Sequence, residues 1–385
     1  MTTAQLIISA SEHDADMLYI SRMFVPDAFI AIGIEGSIAS QKDIKWHGLF
    51  SPLEVDRVKK GSGFHQVHLD SIWREKSKAL GYPANLASTA AAFLKEHGVT
   101  KLTVPGQFPL MYADQLRTLG FQITAQQGSL FPQRAVKNDA EIKQLARAER
   151  LTKRSMMQAE NFLAACSIGN DSILRHPDDA KTKVKSKHVR AAIETFLISQ
   201  GAMPAHTIVA CGKEGADPHN MGSGFIRAHQ SIIIDIFPRL LDSGYWGDMT
   251  RTYVKGKAPA TLKKMYQTVR EGQDIGLNSV AHGAHGSDIH HAILSHFDKQ
   301  GFKTGIKGGK QTGFFHGTGH GVGLEIHESP RISVRDDILQ SNQVVTVEPG
   351  LYYPNIGGVR LEDMVVVRDQ GCENLTKHPR KFEIS

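Results

Sequence analysis

Two apolar, strand-like runs late in the chain each carry a carboxylate, and each is followed across a turn zone by a second run carrying another. The first unit reads Ser231-Ile232-Ile233-Ile234-Asp235, a turn-rich connection, then Gly247-Asp248-Met249-Thr250-Arg251-Thr252-Tyr253-Val254. The second reads Val344-Val345-Thr346-Val347-Glu348, Pro349-Gly350 and a loop, then Val359-Arg360-Leu361-Glu362-Asp363 and an apolar tail to Val367. β-Branched runs bounded by Gly and Pro predict strands joined as hairpins. A carboxylate in such a run is expensive to bury unless a cation or donor meets it. If the two hairpins face one another, Asp235, Asp248, Glu348 and Glu362 converge, repel and raise one another's pKa values. One or two divalent cations remove that conflict. Imidazoles to complete the shell lie between the units, in His316-Gly-Thr-Gly-His320-Gly-Val-Gly-Leu-Glu-Ile-His327.

A carboxylate-rich, imidazole-poor and thiolate-free donor set suits Mn²⁺ first, with Co²⁺, Fe²⁺ and Zn²⁺ as competitors. Two such ions bridged by shared carboxylates activate water and polarise a carbonyl, which is hydrolysis without a protein nucleophile. No Gly-x-Ser-x-Gly occurs, and Cys166, Cys211 and Cys372 are far apart and odd in number, which leaves neither a serine elbow nor a Cys-rich zinc site. His316 and His320 are four apart, but the intervening Gly-Thr-Gly excludes the helical zinc-peptidase reading, because Gly is a poor helix former. A loop whose glycines allow close backbone approach is the better reading.

Taken together, Ile234-Asp235, Gly247-Asp248-Met-Thr-Arg-Thr, His316-Gly-Thr-Gly-His320 with its continuation to His327-Glu328, Val347-Glu348-Pro-Gly-Leu-Tyr and Val359-Arg360-Leu-Glu362-Asp resemble the pita-bread metallopeptidases. The resemblance is to their Xaa-Pro branch, aminopeptidase P and prolidase, and covers 138–370 well and the N-terminal part loosely. It implies an α/β (α+β) chain: a small N-terminal α/β creatinase-like domain at 1–134, then a pseudo-twofold pita-bread catalytic domain at 138–385. It implies that Asp235, Asp248, His320, Glu348 and Glu362 bind two divalent metal ions, with Asp248 and Glu362 bridging. Glu348, His219 and His327 are then catalytic, and His316, His219, His327 and Arg360 bind substrate. The reaction implied is hydrolysis of the Xaa-Pro bond, in dipeptides or at the N-terminus of longer peptides. Homodimers are usual in the family. The alternatives are an aminopeptidase of other specificity, a binding protein on the same scaffold, and a metal-free creatinase-like hydrolase. The intact ligand set argues against the last two. The chain departs from the family at Asp235, where Ile-Phe-Pro-Arg replaces the usual x-Gly and the connection to the second ligand is about two residues longer. Asp242 falls in that connection, and Asp248 is preferred because its flanking residues follow the family pattern.

The rest of the chain is consistent with two domains. Its 385 residues exceed a usual single domain, and a net charge of +6 over that length shows no basic stripe with interleaved aromatics, so nucleic acid is not implied. No stretch reaches the length of a membrane span, and three scattered cysteines fit a reducing compartment, so a cytoplasmic location is expected. Strands are expected at 4–10, 28–34, 101–104 and 121–124, with helices at 83–97 and 110–119. After a linker at 131–137, Asn138 and Glu141 form a capping box that starts a helix running to about Cys166. Ser186 is expected to cap a second helix, and a strand is expected at 207–210. The order then repeats with helices at 259–280 and 287–300. Thr250, two residues after Asp248, shares its face, as Arg360 shares that of Glu362. His188, His282, His285, His290 and His291 are read as exposed helix and turn residues.

Overall fold

The computed structural model describes residues 2–35 and 44–385. The chain divides into two compact units, Met1–Arg134 and Ala135–Ser385. Period-two alternation builds the first. In Thr2–Ser9, Leu6 and Ile8 join one core and Ile7 the other; in Phe29–Ile34, Ile30 and Ile32 oppose Phe29 and Ala31. The sheet has six strands in the order Gln66–Leu69, Lys45–Phe50, Phe29–Ile34, Thr2–Ser9, Val99–Pro105, Gln122–Gln126. Trp73, Phe93 and Leu116, from the helices Asp70–Ala79, Leu86–Glu96 and Leu110–Thr118, cover one face. Met17, Val55, Val58 and Phe131 cover the other. The strands at Lys45–Phe50 and Gln66–Leu69 were not anticipated, because Lys-Trp-His-Gly-Leu-Phe and Gln-Val-His-Leu are short and mixed in polarity.

The second unit repeats one plan twice. Helices Asp139–Ala165 and Ser186–Ser199 share a core with the sheet Ile208–Cys211, Ile232–Ile236, Met249–Lys255, Glu383–Ile384. Helices Ala260–Ser279 and Gly286–Lys299 share another with the sheet Glu328–Ile332, Gly319–Gly321, Val344–Val347, Asp363–Val367, Cys372–Asn374. The Asn138–Glu141 capping box is present, with Asn138 Oδ1 accepting from the Ala140 and Glu141 N–H groups. Ser186 is not a cap: it is the first helical residue, and the ring Nδ1 of His188 accepts from the Lys185 N–H at 3.1 Å instead. No helix among the described residues is long and apolar enough to cross a membrane.

The two carboxylate hairpins differ. Ile232–Ile236 and Met249–Lys255 pair directly, with Asp235 opposite Thr250. In the second unit Val344–Val347 pairs with Asp363–Val367, and a separate short hairpin, Gly350–Tyr353 with Gly357–Arg360, is inserted between them. Pro349 has no N–H to continue the first ladder, so the chain turns there and pairs with itself. Across the Asp235–Asp248 connection both aspartates still reach one cleft. That connection forms the strand Arg239–Leu240, which pairs with Ala202–Met203, and a turn closed by the Gly244 N–H on Leu240 O.

Candidate active site

All nine residues singled out above line one cleft of about 710 Å³: Asp235, Asp248, His320, Glu348 and Glu362, with His219, His316, His327 and Arg360. Asp242 does not. It is exposed and pairs with Arg147 on the protein surface. The cleft falls where the two repeats meet: Asp235 and Asp248 lie on or beside strands of the first, and His320, Glu348 and Glu362 on or beside strands of the second. His320 is carried on the three-residue strand Gly319–Gly321, wedged between its neighbours. A Cβ at Gly319 would stand 1.9 Å from Thr346 O, and one at Gly321 2.3 Å from Ser329 O. Only glycine on both sides of His320 permits that approach.

The geometry calls for a cation. His320 Nδ1 lies 3.1 Å from Gly321 O, and because a carbonyl only accepts, Nδ1 carries the proton. Its Nε2 therefore presents a lone pair, 3.6 Å from Asp248 Oδ2 and 3.5 Å from Glu348 Oε1. A neutral imidazole nitrogen and two carboxylate oxygens at that spacing are the kind of donors that gather around a metal ion. Ligand atoms of Asp248, His320 and Glu362 all lie within 4.8 Å of one another. Asp235 Oδ2 is satisfied by Arg360 Nη2 at 2.6 Å, but its buried Oδ1 has no partner. Burial and mutual repulsion push Asp248 and Glu362 well above the carboxylate range, and burial with the nearby Asp235 pushes Glu348 up to about 7. Burial holds His320 down at about 3, and so keeps its imidazole neutral.

The surrounding side chains hold these groups in place. Thr250 Oγ1 donates to Glu362 Oε2 at 2.7 Å and accepts from Arg360 Nε at 3.2 Å. Arg360 Nη1 donates to Tyr352 Oη at 3.0 Å, and that hydroxyl lies 2.9 Å from His316 Nε2. His316 Nδ1 donates to Gly317 O, so its Nε2 accepts from Tyr352. Burial and the neighbouring Arg360 lower His316 to about 3. His327 stands edge-on to His320 with centroids 4.4 Å apart, and it and His219 are exposed to the cleft.

Sequence reasoning missed two contributors. Glu149 is fully buried; its carboxylate accepts from the Asp248 N–H at 3.0 Å and from Thr376 Oγ1 at 2.7 Å. Thr376 Oγ1 in turn accepts from the Met364 N–H, so one buried link ties the backbone beside Asp248 to the strand beginning beside Glu362. The signal was present: Glu149 falls within the apolar stripe Leu145, Ala148, Thr152 of its helix. His290, read as exposed, is buried, with Nδ1 2.9 Å from Thr318 Oγ1. The Thr318 carbonyl accepts from the Glu348 N–H. Because His290 lies on the inner stripe of Gly286–Lys299 with Ile289 and Ile293, its helix phase would have revealed it.

A buried ring of carboxylates and one neutral imidazole, built on two repeated helix-and-sheet halves, defines a metallohydrolase centre. The chain belongs to metallopeptidase family M24, whose model matches residues 144–369. A putative Xaa-Pro aminopeptidase of Mycoplasma genitalium is 31% identical over 298 residues, 76% of each chain. An Xaa-Pro dipeptidase of Pyrococcus horikoshii is 30% identical over 276 residues, 69% of this chain and 75% of its own. Among solved structures, the X-Pro aminopeptidase of Thermotoga maritima superposes with a TM-score of 0.79 at 22% identity, covering 100% of this chain and 97% of its own. An Xaa-Pro dipeptidase of Bacillus anthracis gives 0.78 at 26%, covering 100% and 95%. The architecture is therefore the α/β N-terminal domain followed by a pita-bread catalytic domain.

Proposed function

We propose that this chain is a two-metal peptidase that hydrolyses the Xaa-Pro bond, with Asp235, Asp248, His320, Glu348 and Glu362 as ligands and Asp248 and Glu362 shared. The observation that carries the reading is the unprotonated His320 Nε2 facing Asp248 and Glu348. The names of the relatives support the proline specificity, and the carboxylate-rich donor set favours Mn²⁺. Two divalent ions held by these residues would lower the pKa of a water and polarise the scissile carbonyl. Glu348 takes the proton of the attacking water and returns it to the proline nitrogen. His219 and His327, free to turn in the cleft, steady the carbonyl oxygen as charge develops on it. Arg360, fully engaged, fixes Asp235 and keeps a positive charge at the floor of the cleft.

One observation favours a short substrate. Arg331 lines the cleft opposite His320, and its guanidinium makes no hydrogen bond or ion pair within the described residues. A free guanidinium there suits the carboxylate of a dipeptide. The test is hydrolysis by metal-stripped protein, before and after adding Mn²⁺, of an Xaa-Pro dipeptide, its C-terminal amide and an Xaa-Pro-Xaa tripeptide. Mn²⁺-dependent cleavage, fastest for the dipeptide acid, is expected. Cleavage of Xaa-Ala peptides as fast as Xaa-Pro would remove the proline specificity, and no cleavage at all would remove the peptidase reading.

A further inference from the structure

A cluster of imidazoles in the first unit takes no part in the cleft. His47 lies on the strand Lys45–Phe50, His68 on Gln66–Leu69 with His65 just before it, and His97 caps the helix Leu86–Glu96. His47 Nδ1 and His68 Nε2 are 3.1 Å apart. The rings of His65 and His97 each have centroids 6.0 Å from that of His47. Buried Phe93 contacts three of the four, with centroids 5.3 Å from His47, 5.4 Å from His68 and 4.1 Å from His97.

We propose that these residues form a second metal site, for an imidazole-preferring ion of the Zn²⁺, Ni²⁺ or Cu²⁺ class, with His47 and His68 as the primary pair and His97 and His65 completing the shell. Three observations carry this. Two nitrogens bound to one ion at about 2.0–2.1 Å, with angles between square and tetrahedral, stand about 2.9–3.4 Å apart. The His47–His68 separation falls inside that window; in the metal-free protein it is a hydrogen bond between the two rings, which a bound ion would replace. Second, His97 Nδ1 is 2.8 Å from the Phe93 carbonyl, so it carries the proton and leaves Nε2 as a lone pair. Metal-bound histidines are oriented by the same kind of hydrogen bond. Third, the neighbours that act most on His47, after its burial, are His68, His97, His65 and Lys45. Burial and these neighbours lower His47 to about 4, and burial lowers His68, so protons do not compete for the ring nitrogens at neutral pH. Among the described residues no third ring nitrogen of the cluster lies within 4.8 Å of both others, so His97 and His65 must swing in to close the shell; both are exposed, so this moves only surface side chains. An all-imidazole set selects different ions from the carboxylate cleft.

The proposal stands apart from the peptidase reading and is tested separately. Untagged, metal-stripped full-length protein and the His47→Gln/His68→Gln variant are titrated with Zn²⁺ by calorimetry, and their Cu²⁺ complexes are examined by electron paramagnetic resonance. The wild type is expected to bind one more Zn²⁺ per chain than the variant. Its Cu²⁺ signal should show nitrogen splitting from several imidazoles, which the variant lacks. The exposed His97→Gln change, which leaves the core intact, should weaken that Zn²⁺ about 10- to 100-fold and serves as the deciding variant if the double one misfolds. Equal Zn²⁺ stoichiometry and affinity in wild type and variants would overturn the proposal.

Discussion

Replacing Asp248 by Asn is expected to lower kcat/KM at least about 10³-fold, a loss on the order of 4 kcal/mol in transition-state stabilisation. Replacing Asp242 by Asn should leave it within about twofold. Both aspartates follow Asp235 in the stretch that departs from the family pattern, and geometry separates them as the flanking residues of Asp248 do. Asp248 is buried at 3.6 Å from His320 Nε2 and shares a ligand-sized space with Glu362. Asp242 is exposed and meets only Arg147, and an exposed pair of that kind contributes about 0–1 kcal/mol. The Asp248 variant should not fail through unfolding. Asn keeps the side-chain shape, and the Glu149 contact is to the backbone N–H, which the substitution spares. Removing one charge from a repelling group should leave the metal-free variant at least as stable as the metal-free wild type. Activity assays and thermal melts on both variants decide the matter: comparable losses at Asp242 and Asp248 would mean the ligand is misassigned.

The metal-free enzyme should lose stability as pH rises, and Mn²⁺ should reverse the trend. The sign follows from the folded-state pKa values. Glu348 moves from 4.5 to about 7 on folding because it is desolvated beside Asp235, and Asp248 and Glu362 are raised well above their ordinary values by burial and by one another. Between the unfolded and folded values the native state binds more protons than the unfolded chain, so unfolding free energy falls as pH rises. Glu348 alone accounts for about 3 kcal/mol across the window from about pH 4.5 to about pH 7. A bound divalent ion takes the place of those protons, so its stabilisation grows over the same window. Melting temperatures near pH 5 and near pH 8, in chelator and in Mn²⁺, test this. A metal-free melting temperature that climbs with pH would show that these carboxylates are not held together as the structure has them.

Much of the site was legible because its chemistry is local in sequence. Each of the five residues expected to bind metal sits beside a strand signal or between glycines, and all five reach one cleft. The Asn138–Glu141 cap was readable for the same reason, since both partners lie within one turn. What escaped depends on distant partners. Glu149 finds its role only when Asp248 and Thr376, 99 and 227 positions away, come to meet it. His290 is defined by Thr318. Ser186 has the right residue type for a cap, but the backbone turns one residue early and His188 takes the role. The second hairpin was read as one unit because its apolar runs match the first, whereas Pro349 splits it into two ladders.

The most direct test of the central claim is diffraction from crystals grown with Mn²⁺, measured at the manganese absorption edge. The account predicts two anomalous peaks in the cleft, enclosed by Asp235, Asp248, His320, Glu348 and Glu362, with density from both ions reaching Asp248 and Glu362. A single peak, or none within reach of His320 Nε2, would contradict it.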